Sequence, residues 1–173
     1  MILTNEIIRT LKFAINAHSK QVRKYTKEPY VNHPINVMKI VSTVEHDENM
    51  LCASLLHDVV EDTDYTIDEI CEYFGHDIAK LVDGLTDKSI LSDGNRRKRK
   101  EIDREALSTK CSRVQTIKLA DLIDNSTDII VNDVNFAVVY IKEKEKLLKV
   151  LDKGNKVLYN EAKKIVDEYY NVL

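Results

Sequence analysis

The chain has 173 residues, 43% hydrophobic and 32% charged, which is enough for one domain with a sizeable core and excludes a disordered or fibrous protein. Its 26 basic and 29 acidic residues give a formal net charge of -3, so it lacks the overall basic field of a protein that coats nucleic acid, and no nucleic-acid partner is expected. Only four glycines occur (Gly75, Gly84, Gly94 and Gly154), and none is placed to write a glycine-rich phosphate loop; any phosphate must be held by side chains or a metal.

Apolar residues recur at helical spacing along the chain. Ile7, Ile8, Leu11, Ala14, Ile15 and His18 mark a first helix with Thr4 or Asn5 as its cap. Pro34 reads as the first position of a second helix, and Asp47 as the cap of a third that runs from Glu48 to about Val60. Thr66-x-x-Glu69 is a capping box ahead of a helix that Gly75 closes. A fifth helix runs from about Asp77 through Leu85, and the highly charged stretch from Asp93 to Ser108 predicts a solvent-facing helix. Val114 to about Ile123, Phe136 to about Leu151, and Asn155 to Tyr170 complete the set. No segment alternates in the manner of a strand. The expectation is an all-α bundle of about eight to nine helices, residues 1–173 forming a single domain.

The longest apolar run, Phe136 to Ile141, is far below the roughly 20 residues that span a bilayer, and MILTNEIIRT lacks a basic-then-apolar leader pattern. A cytoplasmic protein without a membrane partner is expected. Cys52, Cys71 and Cys111 read as reduced thiols serving as small core residues.

Three polar insertions interrupt this apolar text. His57, Asp58, Glu61 and Asp62 stand at the end of the third helix, with His57 and Glu61 at i,i+4 on one face and Asp58 and Asp62 on the next. Lys118, Asp121 and Asn125 share a face of a later helix, and His33 immediately precedes Pro34. Buried charges need partners. Taken singly, a histidine of this kind is read more readily as structural: His57-Asp58 as a helix end, with Asp121 as the ion-pair partner of Lys118. Together, His33, His57, Asp58 and Asp121 make a mixed nitrogen and oxygen set suited to a divalent ion such as Mn²⁺, Fe²⁺ or Zn²⁺.

The separate His, the adjacent His-Asp and the later Asp resemble the metal signature of the HD-domain phosphohydrolases. More narrowly, Ala17-His18-x-x-Gln21-x-Arg23-Lys24, Glu28-Pro29-Tyr30-x-x-His33-Pro34, His57-Asp58-x-x-Glu61-Asp62-Thr63 and Ile117-Lys118-Leu119-Ala120-Asp121 resemble the alarmone hydrolase domain of the RelA/SpoT type and the small alarmone hydrolases. The resemblance implies a Mn²⁺-dependent hydrolase of a small nucleotide substrate, removing pyrophosphate from the 3′ position of guanosine tetra- or pentaphosphate. His33, His57, Asp58 and Asp121 would hold the metal, and Glu61 and Asp62 would handle protons. Arg23 would lie on the purine and Lys24 on polar edges or phosphate, while Asn125 would meet the ribose and Tyr140 wall the pocket.

Arg23 and Lys24 also suit an exposed helix end, and Tyr140 suits the core. Lys20 and Lys27 stand where many members carry glycine, so the loop before Pro29-Tyr30 is expected to take its own path. The adenosine analogue, another nucleotide or phosphate ester, and a non-catalytic alarmone-binding module remain alternatives, and a homo-oligomer is left open. The run Arg96-Arg97-Lys98-Arg99-Lys100 reads as a solvated, self-paired helix face, or as cations reaching the substrate's 5′-phosphates.

Overall fold

A computed structural model describes residues 3–172 of the chain. Ten α-helices and one 3-10 turn occur among the described residues, and the β structure there amounts to an isolated antiparallel bridge between Val22 and Pro29. The all-α expectation holds. The chain divides into two compact units, residues 1–86 and 87–173.

In the first unit, α1 (Asn5–Ala17) is capped by Thr4, whose hydroxyl accepts from the Ile7 amide at 3.2 Å. α2 (Asn32–Val41) begins before Pro34, which is therefore its third residue and not its first. Pro34 is tolerated there because the first four helical amides have no intrahelical acceptor to lose. α3 (Glu48–Leu56) is capped by Asp47, which accepts from the Met50 amide at 2.9 Å. Every residue from Met50 to Leu56 is buried, and the helix packs against α1, α2 and α6. A helix apolar on all sides belongs in the middle of a core, where each buried leucine contributes about 1.5–3 kcal/mol.

α3 stops short of Val60. The backbone departs from ideal helix at His57–Asp58, where Asp58 has φ -99° and ψ -5°, and resumes as the one-turn helix α4 (Val59–Asp62). These angles lie in the sparsely populated bridge region that active-site residues often occupy. α5 (Ile67–Phe74) opens with the expected capping box, and α6 (His76–Leu85) follows at once. Gly75 joins them with φ 84°, a left-handed conformation that glycine adopts without a Cβ penalty.

In the second unit, a 3-10 turn (Leu91–Asp93) leads to α7 (Arg96–Ser108), α8 (Ser112–Asn132), α9 (Val134–Leu148) and α10 (Lys156–Val172). α8 is much longer than its apolar segment implied, and both α9 and α10 pack on it. Fully buried Gln115 ties the unit together. Its amide nitrogen donates to the carbonyls of Leu107 and Val150 at 3.0 and 3.1 Å, and its oxygen accepts from the Lys153 amide at 2.9 Å. No described helix is long and apolar enough to cross a membrane. All three cysteines are thiols, but only Cys52 is a core residue; Cys71 is half-buried, and Cys111 is exposed where it precedes α8.

One glycine is required by packing. A Cβ on Gly154 would stand 2.6 Å from Leu119 Cδ1 and 3.2 Å from the Gln115 carbonyl. Gly154→Ala is expected to destabilise the protein by about 1–3 kcal/mol through this overlap. Denaturant unfolding checks it, and an unchanged midpoint contradicts the packing account.

Candidate metal centre

Three of the four expected metal ligands are brought together in the first unit. His33 is the second residue of α2, His57 caps the end of α3, and Asp58 begins the turn into α4. One ligand atom from each lies within 4.8 Å of the others. Both histidines are buried, at 1% and 2% exposure, and their rings stand 5.0 Å apart at 68°. The Nε2 atoms face the same carboxylate oxygen, Asp58 Oδ2, at 3.0 Å from His57 and 3.5 Å from His33.

The tautomer of neutral His57 follows from its other nitrogen. Nδ1 lies 2.8 Å from the Ser54 carbonyl, which can only accept, so Nδ1 carries the hydrogen and neutral His57 presents a lone pair at Nε2. In that tautomer the lone pair stands 3.0 Å from the Asp58 carboxylate oxygen, a contact that needs a positive charge, supplied either by a proton on Nε2 or by a bound cation. The donor set therefore fits a divalent ion of intermediate softness, with the Ser54 carbonyl holding the ring in orientation.

Tyr30, which the spacing arguments left without a role, donates its phenol hydrogen to Asp58 Oδ2 at 2.6 Å. Its place three residues before His33 was the available signal: the Tyr30 carbonyl accepts from the His33 amide at 2.9 Å, so the turn that starts α2 presents both side chains together. Asp62 ends α4 as an exposed residue, yet partial desolvation of its carboxyl and then the charge of Asp58 push it above the usual carboxylate range. Glu61 is exposed on the same turn.

Asp121 belongs to the second unit, at 4% exposure on α8. Lys118 Nζ pairs with its Oδ2 at 2.8 Å, and Asn125 Nδ2 donates to its Oδ1 at 2.6 Å, so the three residues share the face their spacing implied. Tyr140 is a core residue, 5% exposed, with Phe136 beside it and the Lys144 ammonium 4.7 Å above its ring. Arg23 is half-buried, and Lys24 is exposed, with its ammonium on the Tyr25 ring at 4.6 Å and its Nζ 3.0 Å from the Tyr25 hydroxyl.

Lys27 has φ 61°, the one left-handed non-glycine among the described residues, so the loop keeps a glycine-like backbone there in spite of the lysine. His18 is buried as a structural histidine, yet only its Nδ1 is bonded, to Gln21 Oε1 at 2.6 Å.

The basic run is sorted by α7. Lys98 pairs with Glu101 at 3.5 Å. Arg96, Arg97, Lys100 and Arg104 face Lys142 and Lys146 of α9 across a groove of about 340 Å³, and Glu143 there is already held by Arg96 through two bonds of 2.8 Å.

An all-helical scaffold that presents an adjacent His-Asp pair at a helix break, with a second histidine closing on it, defines a class of His-Asp metal-site proteins. The sequence profile of the HD domain matches residues 10–137, and the chain belongs to the HD-domain family. It is 43% identical over 130 residues to the guanosine-3′,5′-bis(diphosphate) 3′-pyrophosphohydrolase MESH1 of Drosophila melanogaster, covering 73% of this chain and 71% of that one. It is 38% identical over 120 residues to the guanosine-3′,5′-bis(diphosphate) 3′-pyrophosphohydrolase of Aquifex aeolicus, covering 69% of this chain but only 17% of that longer protein. Among solved structures, a metazoan ortholog of SpoT described as hydrolysing ppGpp superposes with a TM-score of 0.88 at 32% identity, covering 98% of both chains. A Listeria monocytogenes protein superposes at 0.67 with 25% identity, over 82% of this chain and 98% of that one.

Tyr30→Phe is expected to weaken divalent-metal binding by roughly tenfold, because the phenol that orients Asp58 is lost while the ring remains. Metal titration reads this directly, and an unchanged Kd contradicts it. Lys144 gives a pH signature: burial pushes its ammonium down to about 8, against the pull of Asp121 and with the help of Lys118 and Lys100. Unfolded lysine titrates near 10.5, so between these values the unfolded chain binds more protons, and stability from this group rises with pH. Lys144→Met should lose that rise. Unfolding midpoints of the two proteins that run parallel across this window contradict the assignment.

Proposed function

We propose that the protein is a metal-dependent 3′-pyrophosphohydrolase of guanosine 3′,5′-bis(diphosphate) and the corresponding pentaphosphate, giving GDP or GTP and pyrophosphate. The observation that carries this reading is the convergence of His33, His57 and Asp58, with Glu61 and Asp62 on the adjoining turn, in a chain so similar to proteins of that activity. His33, His57 and Asp58 would hold the ion, Asp121 is assigned as its fourth ligand by the sequence motif alone, and Mn²⁺ is the ion we assign. Bound there, the ion supplies charge for the phosphoryl oxygens and acidifies water. The likeness to the SpoT ortholog over 98% of both chains supports treating residues 1–173 as one functional HD domain.

The chain's own groups manage the protons. Water attacks the 3′ phosphorus, the bond from phosphorus to the ribose 3′-oxygen breaks, and that oxygen takes a proton. Asp62, whose carboxyl is held above its ordinary range, suits proton delivery to the leaving oxygen, and exposed Glu61 suits orienting the water and accepting its proton. Arg23 stacks on the purine, Lys24 meets its polar edge or a phosphate, Asn125 meets the ribose and Tyr140 lines the pocket through its ring. A guanidinium stacks on any purine, so the adenosine analogue is the second substrate to test. We assign the protein to the cytoplasm.

Purified protein with Mn²⁺ is expected to convert guanosine tetraphosphate to GDP and pyrophosphate; release of single phosphates, or binding without turnover, overturns the reading. His57→Ala is expected to lose both bound metal and turnover. Glu61→Gln should keep the metal and lose about 100-fold or more in kcat. Full activity in either variant contradicts the assignment.

A further inference from the structure

We propose that Gln21 is a positioning residue: it ties the loop between α1 and α2 to the end of α4 and so sets where the Asp62 carboxyl stands. The proposal rests on the hydrolase reading for its consequence in turnover, but its geometry stands alone.

Gln21 Nε2 donates to the backbone carbonyl of Asp62. A carbonyl only accepts, so the amide orientation is assigned, and Gln21 Oε1 is the atom that faces His18 Nδ1 at 2.6 Å. His18 is 2% exposed and packs its ring 4.9 Å from that of Tyr30, which makes it a rigid post for the glutamine.

The Gln21 carbonyl accepts from the Tyr30 amide at 3.0 Å, and the Tyr30 phenol holds Asp58 at 2.6 Å. One residue therefore reaches Asp62 through its side chain and Asp58 through its backbone and Tyr30.

The need for such a tie follows from the length of α4. Four residues make a single turn, too short to be stable by itself, and the carbonyl of its last residue has no following helix to accept from. Gln21 supplies that donor from outside the helix.

The test uses the full chain with Mn²⁺ and guanosine tetraphosphate, comparing Gln21→Met with Gln21→Glu. Methionine keeps the volume and removes both bonds; glutamate keeps an acceptor for His18 and removes the donor to Asp62. Both variants are expected to lose about 10- to 100-fold in kcat, with KM and the Mn²⁺ Kd within about threefold of wild type. Amides of residues 59–63 should also exchange with solvent about tenfold faster in both, a readout that needs no turnover. Wild-type kcat in both variants overturns the proposal, as does activity lost only in step with metal. Activity retained in Gln21→Glu but lost in Gln21→Met overturns the tie to Asp62 in favour of the His18 contact. If wild type proves inactive on the nucleotide, the hydrolase reading fails, and unchanged exchange at residues 59–63 then sinks the positioning role separately.

Discussion

The Ser54 carbonyl lies 2.8 Å from His57 Nδ1 and can only accept a hydrogen, which leaves the lone pair of neutral His57 on Nε2, pointing at Asp58. His33 brings a second imidazole nitrogen to the same carboxylate oxygen. Electron-rich atoms gathered in a buried site are costly without a positive charge among them, so this arrangement fits a cation. Buried α3 supplies the rigidity: from Met50 to Leu56 it has no exposed face, and the Ser54 carbonyl cannot drift.

The break at the end of α3 serves the same constraint. A regular helix continued through Asp62 would set His57 in line with Glu61 and Asp58 in line with Asp62 on two adjoining faces. The near-bridge backbone at Asp58 instead starts a separate turn, so that His57 stays buried with the core while Glu61 and Asp62 reach solvent. Tyr30 then occupies Asp58 from the other side, and Asp62 feels both.

The second unit follows a different logic. Asp121 is buried but compensated, with Lys118 on one oxygen and Asn125 on the other, and the lysines nearby are in turn balanced by Asp87, Asp103 and Glu143. Its fold depends on polar side chains that satisfy backbone groups where helices end, as Gln115 does at the ends of α7 and α9. Gly154 lets the chain approach Gln115 closely, so one of the four glycines serves close packing and not phosphate recognition.

Helix type and order, the capping box at Thr66, the turn at Gly75 and the pairing of His33 with His57-Asp58 were all legible in the sequence, because local periodicity and costly buried polar groups leave a mark on it. The start of α2 ahead of Pro34, the split of α3 from α4 and the full length of α8 were not, since they depend on what each segment packs against. The roles of Tyr30, Gln21 and Ser54 escaped for the same reason, although the first two stand in the matching motifs: a tyrosine, a glutamine and a backbone carbonyl acquire a role only from the atom brought opposite them. The sequence by itself determined an all-α HD-domain chain and the residue types that meet at its candidate metal centre. Only the tertiary structure decided which nitrogen of His57 faces the centre and which loop holds Asp62, because a hydrogen bond's direction is set by the geometry of both partners, which composition and spacing do not contain.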